Sequence, residues 1–434
     1  MARSTSFTVD LLKKIKHFIE DEETRNRFRS SSRDFVRDRG LSFVDLVQFL
    51  LQLGKSSVQQ ELDRFLDGQQ KSYTGSALSQ HRKKLSPEIF IHLNNLQVQH
   101  YYSQAPFIKK WKGYRLIAID GSTMQLPYSE ELVEEFGHFS TRTENNRKVV
   151  MGRISQAYDV LNGLTLEARL DHYRISELSL AEQHIPILNK HDLLLMDRGY
   201  AAFWLMSMLQ CQSTKFVIRL KAQRWKIAKD FLASGADEEF VTINPSNEAR
   251  TKCKQKGIPS TPLPLRLVRV RIKEGEDHIL ITNLVNDQLY TSQELGNLYR
   301  LRWPIEESYK HLKLRGELEN LSGKSKRVIF QDFHRIIMMA NFSHIMSKTL
   351  TRRQIKHIND NRLGTYKLNL TQAFRKSKDL INSMFADTIK NLIEKLRIFA
   401  FQLINQLEII RPNRHVPRFR RYGGRPVNFM AYKP

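Results

Sequence analysis

Two short apolar runs that each stop on an aspartate do most to limit what this chain can fold into. They are "YRLIAID", residues 114–120, and "DLLLMD", residues 192–197. Runs this short, rich in Leu and Ile and bounded by turn residues, predict buried strands. Between them, "RISQAYDVLNGLTLEARLDHY" reads as two strands around Asn162-Gly163, a hairpin signal. "ELSLAEQHIPIL" then reads as a helix, "AAFWLMSMLQ" as another, and "TKFVIRL" as a further strand. The order strand, hairpin, helix, strand, helix, strand predicts a mixed α/β sheet. Such a sheet presents ligands at the carboxyl ends of its strands, so Asp120 and Asp197 are candidate ligands there. Taken singly, each has an ordinary reading: Asp120 as a turn residue before Gly121, Asp197 as a helix cap or a partner of Arg198.

The remainder divides around that core. Residues 1–105 read as helical. "LSFVDLVQFLLQL" carries apolar residues at helical spacing with Gly54 just beyond, and "TGSALSQHRKKLSPEIF" carries Ser76 or Ser79 as a cap, a basic turn and Pro87 as a break. That short basic helix is a candidate for a DNA groove, or else a solvated charged turn. Residues 106–221 hold the first part of the core and 222–290 a β-rich insertion. In the insertion "EEFVTI", "LPLRLVRVRI" and "DHILITNLV" read as strands, with "NEARTKCKQKGIPSTP" as loop. Residues 291–330 return to the core, and 331–434 form a helical region with a basic tail. From Arg411 that tail has six arginines, one lysine and no acid, suited to neutralising phosphates and stacking on bases.

Charge narrows the partner. The 434 residues carry a formal net charge of +25, a balance that points to a polyanion, nucleic acid before a membrane surface. Cys211 and Cys253 make no disulfide framework and no zinc spacing. The first residues lack the apolar core of a signal peptide, and no uncharged run reaches membrane-spanning length. A cytoplasmic protein, nucleoid-associated and without a membrane partner, is expected.

One further stretch brings chemistry. In "LYRLRWPIEESYKHLK", residues 298–313, Tyr299, Arg302, Glu306 and Lys313 recur at helical return distances. At roughly 100° per residue they fall within about 60° of one another on one helix. Leu298, Leu301, Ile305 and Leu312 form the neighbouring apolar stripe. Pro304 interrupts, requiring a kink or a fresh start. Arg302 with Glu306 is by itself an ordinary i,i+4 pair. Together with two strand-end acids in a basic chain it says more. Three carboxylates are hard oxygen donors suited to Mg2+ or Mn2+, and three suffice for two ions that assist phosphodiester transfer.

The stretch matches Y-x2-R-x3-E-x6-K, and "IDGS" and "DRGY" surround the two aspartates. In these features the chain resembles the insertion-sequence 4 family of bacterial DDE transposases, and "SALSQHRKKLS" and "RPNRHVPR" fit the same likeness. The resemblance implies an α/β fold with a ribonuclease H-like mixed sheet core. It implies Asp120, Asp197 and Glu306 as the metal-binding catalytic triad, and Tyr299, Arg302 and Lys313 as contacts to transposon-end DNA. Trp225 is its candidate for holding a flipped base should excision pass through a hairpin. The function so implied is transposition. A homodimer on DNA cuts at terminal inverted repeats and joins the freed 3′ end to target DNA. The rival readings are a metal-dependent nuclease on the same core and a DNA-binding regulator whose acids are structural.

Overall fold

The computed structural model describes residues 2–411 except 37–39, 55, 69–71, 106, 141–147, 272–276, 315 and 317. The chain forms two compact units. One comprises Phe107–Thr123 with Arg153–Tyr309, the other Met1–Pro106, Met124–Gly152 and Lys310–Pro434. Beyond Arg411 the basic tail lies outside the described residues.

The strands of the large sheet are β1 Arg115–Gln125, β2 His138–Ser140, β3 Lys148–Asp159, β4 Leu164–His172, β5 Asp192–Met196, β6 Lys215–Leu220, β7 Glu238–Ile243, β8 Leu263–Val270 and β9 His278–Thr282. The sheet of the first unit runs β4-β3-β1-β5-β6-β9-β8-β7. β1, β5 and β6 are parallel neighbours. Contacts from Val160 to Leu116 and from Ser155 to Asp120 step in opposite directions, so β3 runs against β1. The order β4-β3-β1-β5-β6 is that of a ribonuclease H-like core, the expected fold class. β9, β8 and β7 prolong the same sheet as antiparallel strands from the β6 edge.

Sequence explains the central register. Leu116–Ile119 and Leu193–Met196 are fully buried, as parallel strands covered on both faces must be. Where the pair begins, Arg115 grips Asp192 with two hydrogen bonds of 2.7 and 2.8 Å. That bidentate pair fixes Arg115 opposite Asp192, and the register continues to Ala118 opposite Leu195. At the hairpin, Gly163 takes φ 76°, which favours glycine, and the Asn162 amide closes the turn onto Asp159.

Three expectations need correction. Asp120 does not end its strand, since β1 continues to Gln125. Its parallel partner β5 stops at Met196, so Asp120 stands where pairing on that side ceases. The stretch around Tyr299 is not one helix but two, Ser292–Arg300 and Pro304–Leu314. Pro304 has no N–H and its ring would strike the carbonyl of residue 300, so the first helix closes through i→i−3 bonds and the second starts at the proline. Leu301 falls in the break and is 38% exposed, while Leu298, Ile305 and Leu312 are buried. The supposed loop after β7 contains a helix, Asn247–Gln255, capped by Ser246 onto the Ala249 N–H.

The Ser292–Arg300 helix begins in a capping box between Thr291 and Glu294. Thr291→Ala is expected to cost about 1 kcal/mol, read as a lower urea midpoint with an unchanged slope.

The second unit is mostly helical, with a small antiparallel sheet of Thr365–Lys367 and Glu408–Ile410. Lys326–Asn361 is its long central helix, packed by Glu88–Gln104, Leu370–Ala386 and Ile389–Ile404. The short helix expected to carry surface cations is Gly75–Arg82, capped by Thr74 rather than by Ser76 or Ser79. Arg82 is buried against Asp332 at 3.1 Å and is bonded to Gln331 and Ser322. It braces the helical unit, which corrects its reading as a groove-binding or solvated cation.

Candidate active site

The register puts the first two acids side by side. Two residues beyond Ala118 and Leu195, the last paired positions, stand Asp120 and Asp197. Equal steps along parallel strands keep both on the same face. Tyr299, buried near the end of its helix, donates from its hydroxyl to Asp197 Oδ1 at 3.3 Å. Arg302, in the break, reaches two ways: Nη1 to Asp120 Oδ2 at 3.3 Å and Nη2 to Glu306 Oε1 at 2.6 Å. Five predicted residues are thereby brought together: Asp120, Asp197, Tyr299, Arg302 and Glu306.

The setting is partly dry. The side chains of Asp120, Glu306 and Arg302 are 20%, 31% and 11% exposed. Burial pushes the Asp120 carboxyl up to about 6 although Arg302 opposes it, and the charges of Glu177 and Glu306 add to the rise. Burial, with the charge of Asp197, also raises the Tyr299 phenol, so it stays a donor.

The other two candidates stand differently. Trp225 is half-buried at the start of the Lys226–Ser234 helix, and no described hydrogen bond or ring contact ties it to the acids. Lys313 lies in the last turn of the helix that begins at Pro304, half-buried.

Several residues at the site were missed by the sequence reading. Glu177 packs so closely on Gly121 that a Cβ there would meet its Cγ at 2.8 Å, and Arg153 Nη1 holds its carboxylate at 2.9 Å. Tyr309 donates to the Asp120 main-chain oxygen at 2.7 Å, and Tyr200 is buried with its hydroxyl unpartnered. Charges on Asp120 and Glu177, after burial, raise the Tyr200 phenol. Tyr309 was signalled by its helical step of three from Glu306, whereas nothing near Glu177 in sequence marks it. Arg198, next to Asp197, lines a cleft of about 420 Å³ together with Arg219 and Lys221.

Among the described residues no three His, Cys, Asp or Glu side chains are drawn together tightly enough to hold a metal ion. The positive charge between Asp120 and Glu306 is the Arg302 guanidinium. The donor set nevertheless fits a divalent ion. It consists of hard carboxylate oxygens, one of them desolvated and costly to keep charged without a cation.

Comparison with known proteins gives the family. The family described as "Transposase DDE domain" matches residues 111–342, more than half of the chain and inclusive of all three acids. The transposase InsG for insertion sequence element IS4 of Escherichia coli (strain K12) is 26% identical over 272 residues, covering 61% of this chain and 59% of that protein. The y4zB protein of Sinorhizobium fredii is 28% identical over 131 residues, 29% of this chain and 35% of that one. The matched part thus spans less than two thirds of either relative. A cryo-EM structure of a piggyBac transposase synaptic complex with hairpin DNA gives a TM-score of 0.46 at 9% identity, over 89% of this chain and 85% of that one, a likeness too weak to build on. On the breadth of the family match, the chain belongs to the transposase DDE domain family.

Proposed function

We propose that the chain is a DNA transposase that cuts at the terminal inverted repeats of an insertion sequence and joins the freed 3′ end to target DNA. The family implies use of a divalent metal. In this reading Asp120, Asp197 and Glu306 hold it as Mg2+ or Mn2+, two ions in all. Bound there, the ions activate the attacking oxygen and stabilise the leaving one. The observation that carries the reading is that the parallel register of the two strands brings Asp120 and Asp197 into step just beyond their last paired residues, with Arg302 joining Asp120 to Glu306.

The chain's own residues do the rest. Arg302, which bonds Asp120 and Glu306 here, would be free to bind a phosphate oxygen if cations held those acids, a contact that suits its guanidinium fork. Tyr299 keeps Asp197 oriented, while Lys313 and the Arg198, Arg219 and Lys221 cleft take neighbouring phosphates. Trp225 takes a flipped base if excision passes through a hairpin. The 1–105 helical segment and the basic tail supply further affinity for DNA, and a homodimer pairs the two ends. No described helix is long and apolar enough to cross a membrane. A cytoplasmic, nucleoid-associated protein is part of the same proposal.

Incubation of the chain with labelled terminal-repeat DNA, a target plasmid and Mg2+ or Mn2+ tests this. Cleavage at the 3′ end followed by joined products is expected. Cutting without joining would favour a nuclease on the same core. Binding without cutting would leave a regulator.

A further inference from the structure

A buried chain of hydrogen bonds ends on Asp120 from behind. Glu167 Oε2 lies 2.6 Å from His184 Nδ1, His184 Nε2 lies 3.1 Å from Ser155 Oγ, and Ser155 Oγ donates to the Asp120 main-chain oxygen at 3.2 Å. His184 and Ser155 are 0% and 1% exposed, so no substrate reaches them. Their work is therefore on the protein itself. Tyr309 donates to the same oxygen, so two side-chain hydroxyls converge on the Asp120 carbonyl. This happens where β5 has ended and no longer pairs β1.

We infer that Glu167, His184 and Ser155 form a positioning relay that fixes the Asp120 main chain and so aims its carboxylate, an inference that rests on the proposed metal-binding role of Asp120. The direction sets a proton requirement. Ser155 has one proton, and giving it to Asp120 requires His184 to donate from Nε2. The link to Glu167 needs a second proton at Nδ1. The Glu167 carboxylate, bonded on its other oxygen by Arg169 at 2.6 Å, favours that second proton, while burial of the ring opposes it. With one proton fewer, the ring would accept from Ser155 and Asp120 would lose a donor.

The test is a Mn2+ titration of the full chain followed by thermal shift, which reads the Asp120 site whether or not DNA is cut. The wild type is expected to gain melting temperature with Mn2+, and Asp120→Asn to lose that gain. Ser155→Ala, which removes one hydroxyl, and His184→Leu should each weaken apparent Mn2+ affinity about tenfold. His184→Gln, whose amide donates from nearly the place of Nε2, should restore it to within about twofold of the wild type. The double variant Ser155→Ala, His184→Leu should be no weaker than Ser155→Ala, as links of one chain demand. A merely structural role would lower melting without Mn2+ and leave the affinity alone. Wild-type affinity in Ser155→Ala beside lost affinity in Asp120→Asn would overturn the relay and spare the proposed function. No Mn2+ response in the wild type would overturn the metal reading of the site and the relay with it.

Discussion

Glu306→Gln and Asp197→Asn are each expected to lower cleavage of terminal-repeat DNA by at least about a thousandfold, some 4 kcal/mol of barrier, with DNA binding kept within about threefold. The size follows from geometry. Asp197 stands in step with Asp120, two residues past the last paired positions of their parallel strands, and Glu306 is joined to Asp120 through Arg302. An amide has nearly the carboxylate's shape but no charge, so each change removes one anionic donor and little packing. Binding should survive because affinity for DNA rests on many cations spread over a chain of net charge +25. A gel shift beside single-turnover cleavage separates the two. Equal loss of binding and cutting would mean that the acids hold the fold.

Asp120→Asn is expected to make the same site more stable. Burial lifts the folded Asp120 carboxyl to about 6, above its ordinary value of 3.8. Above pH 6 the group is charged in both states, and the folded state carries a cost of about 2–3 kcal/mol. Between pH 6 and 4 the folded chain takes up the proton first, so that cost fades as pH falls. In a chelator at pH 7.5 the variant should therefore exceed the wild type by up to about 3 kcal/mol in urea unfolding. The difference should shrink toward zero near pH 4. An Asp120→Asn chain less stable than the wild type at pH 7.5 would show that the carboxylate is held by its partners rather than strained by burial.

Local apolar pattern sufficed to find the sheet's centre. "LIAID" and "LLLMD" are strands because their residues can only be buried, and the acids at their ends fall in step because Arg115 and Asp192 set the register. Glu306 was legible through its spacing, although the helix assumed for that spacing was wrong. Pro304 breaks it, and the turn rather than a helix face directs Arg302 at two acids. What remained hidden depends on distant pairing. Arg82 reads as a surface cation because its partner Asp332 is 250 positions away. Glu177 and His184 reach the site from a helix whose own sequence carries no motif to mark them. The Asn247–Gln255 helix escaped because its residues are mostly polar, without an apolar period to betray it.

A change of ligand element tests the central claim, that these acids bind a divalent ion at the DNA. Mg2+ takes oxygen ligands and shuns sulfur, whereas Mn2+ lies further along the order of metals that tolerate a thiolate. Asp197→Cys should thus be inactive in cleavage with Mg2+ and regain activity with Mn2+, while the wild type works with both. A cysteine variant equally inactive with either ion, or equally active with both, would contradict it.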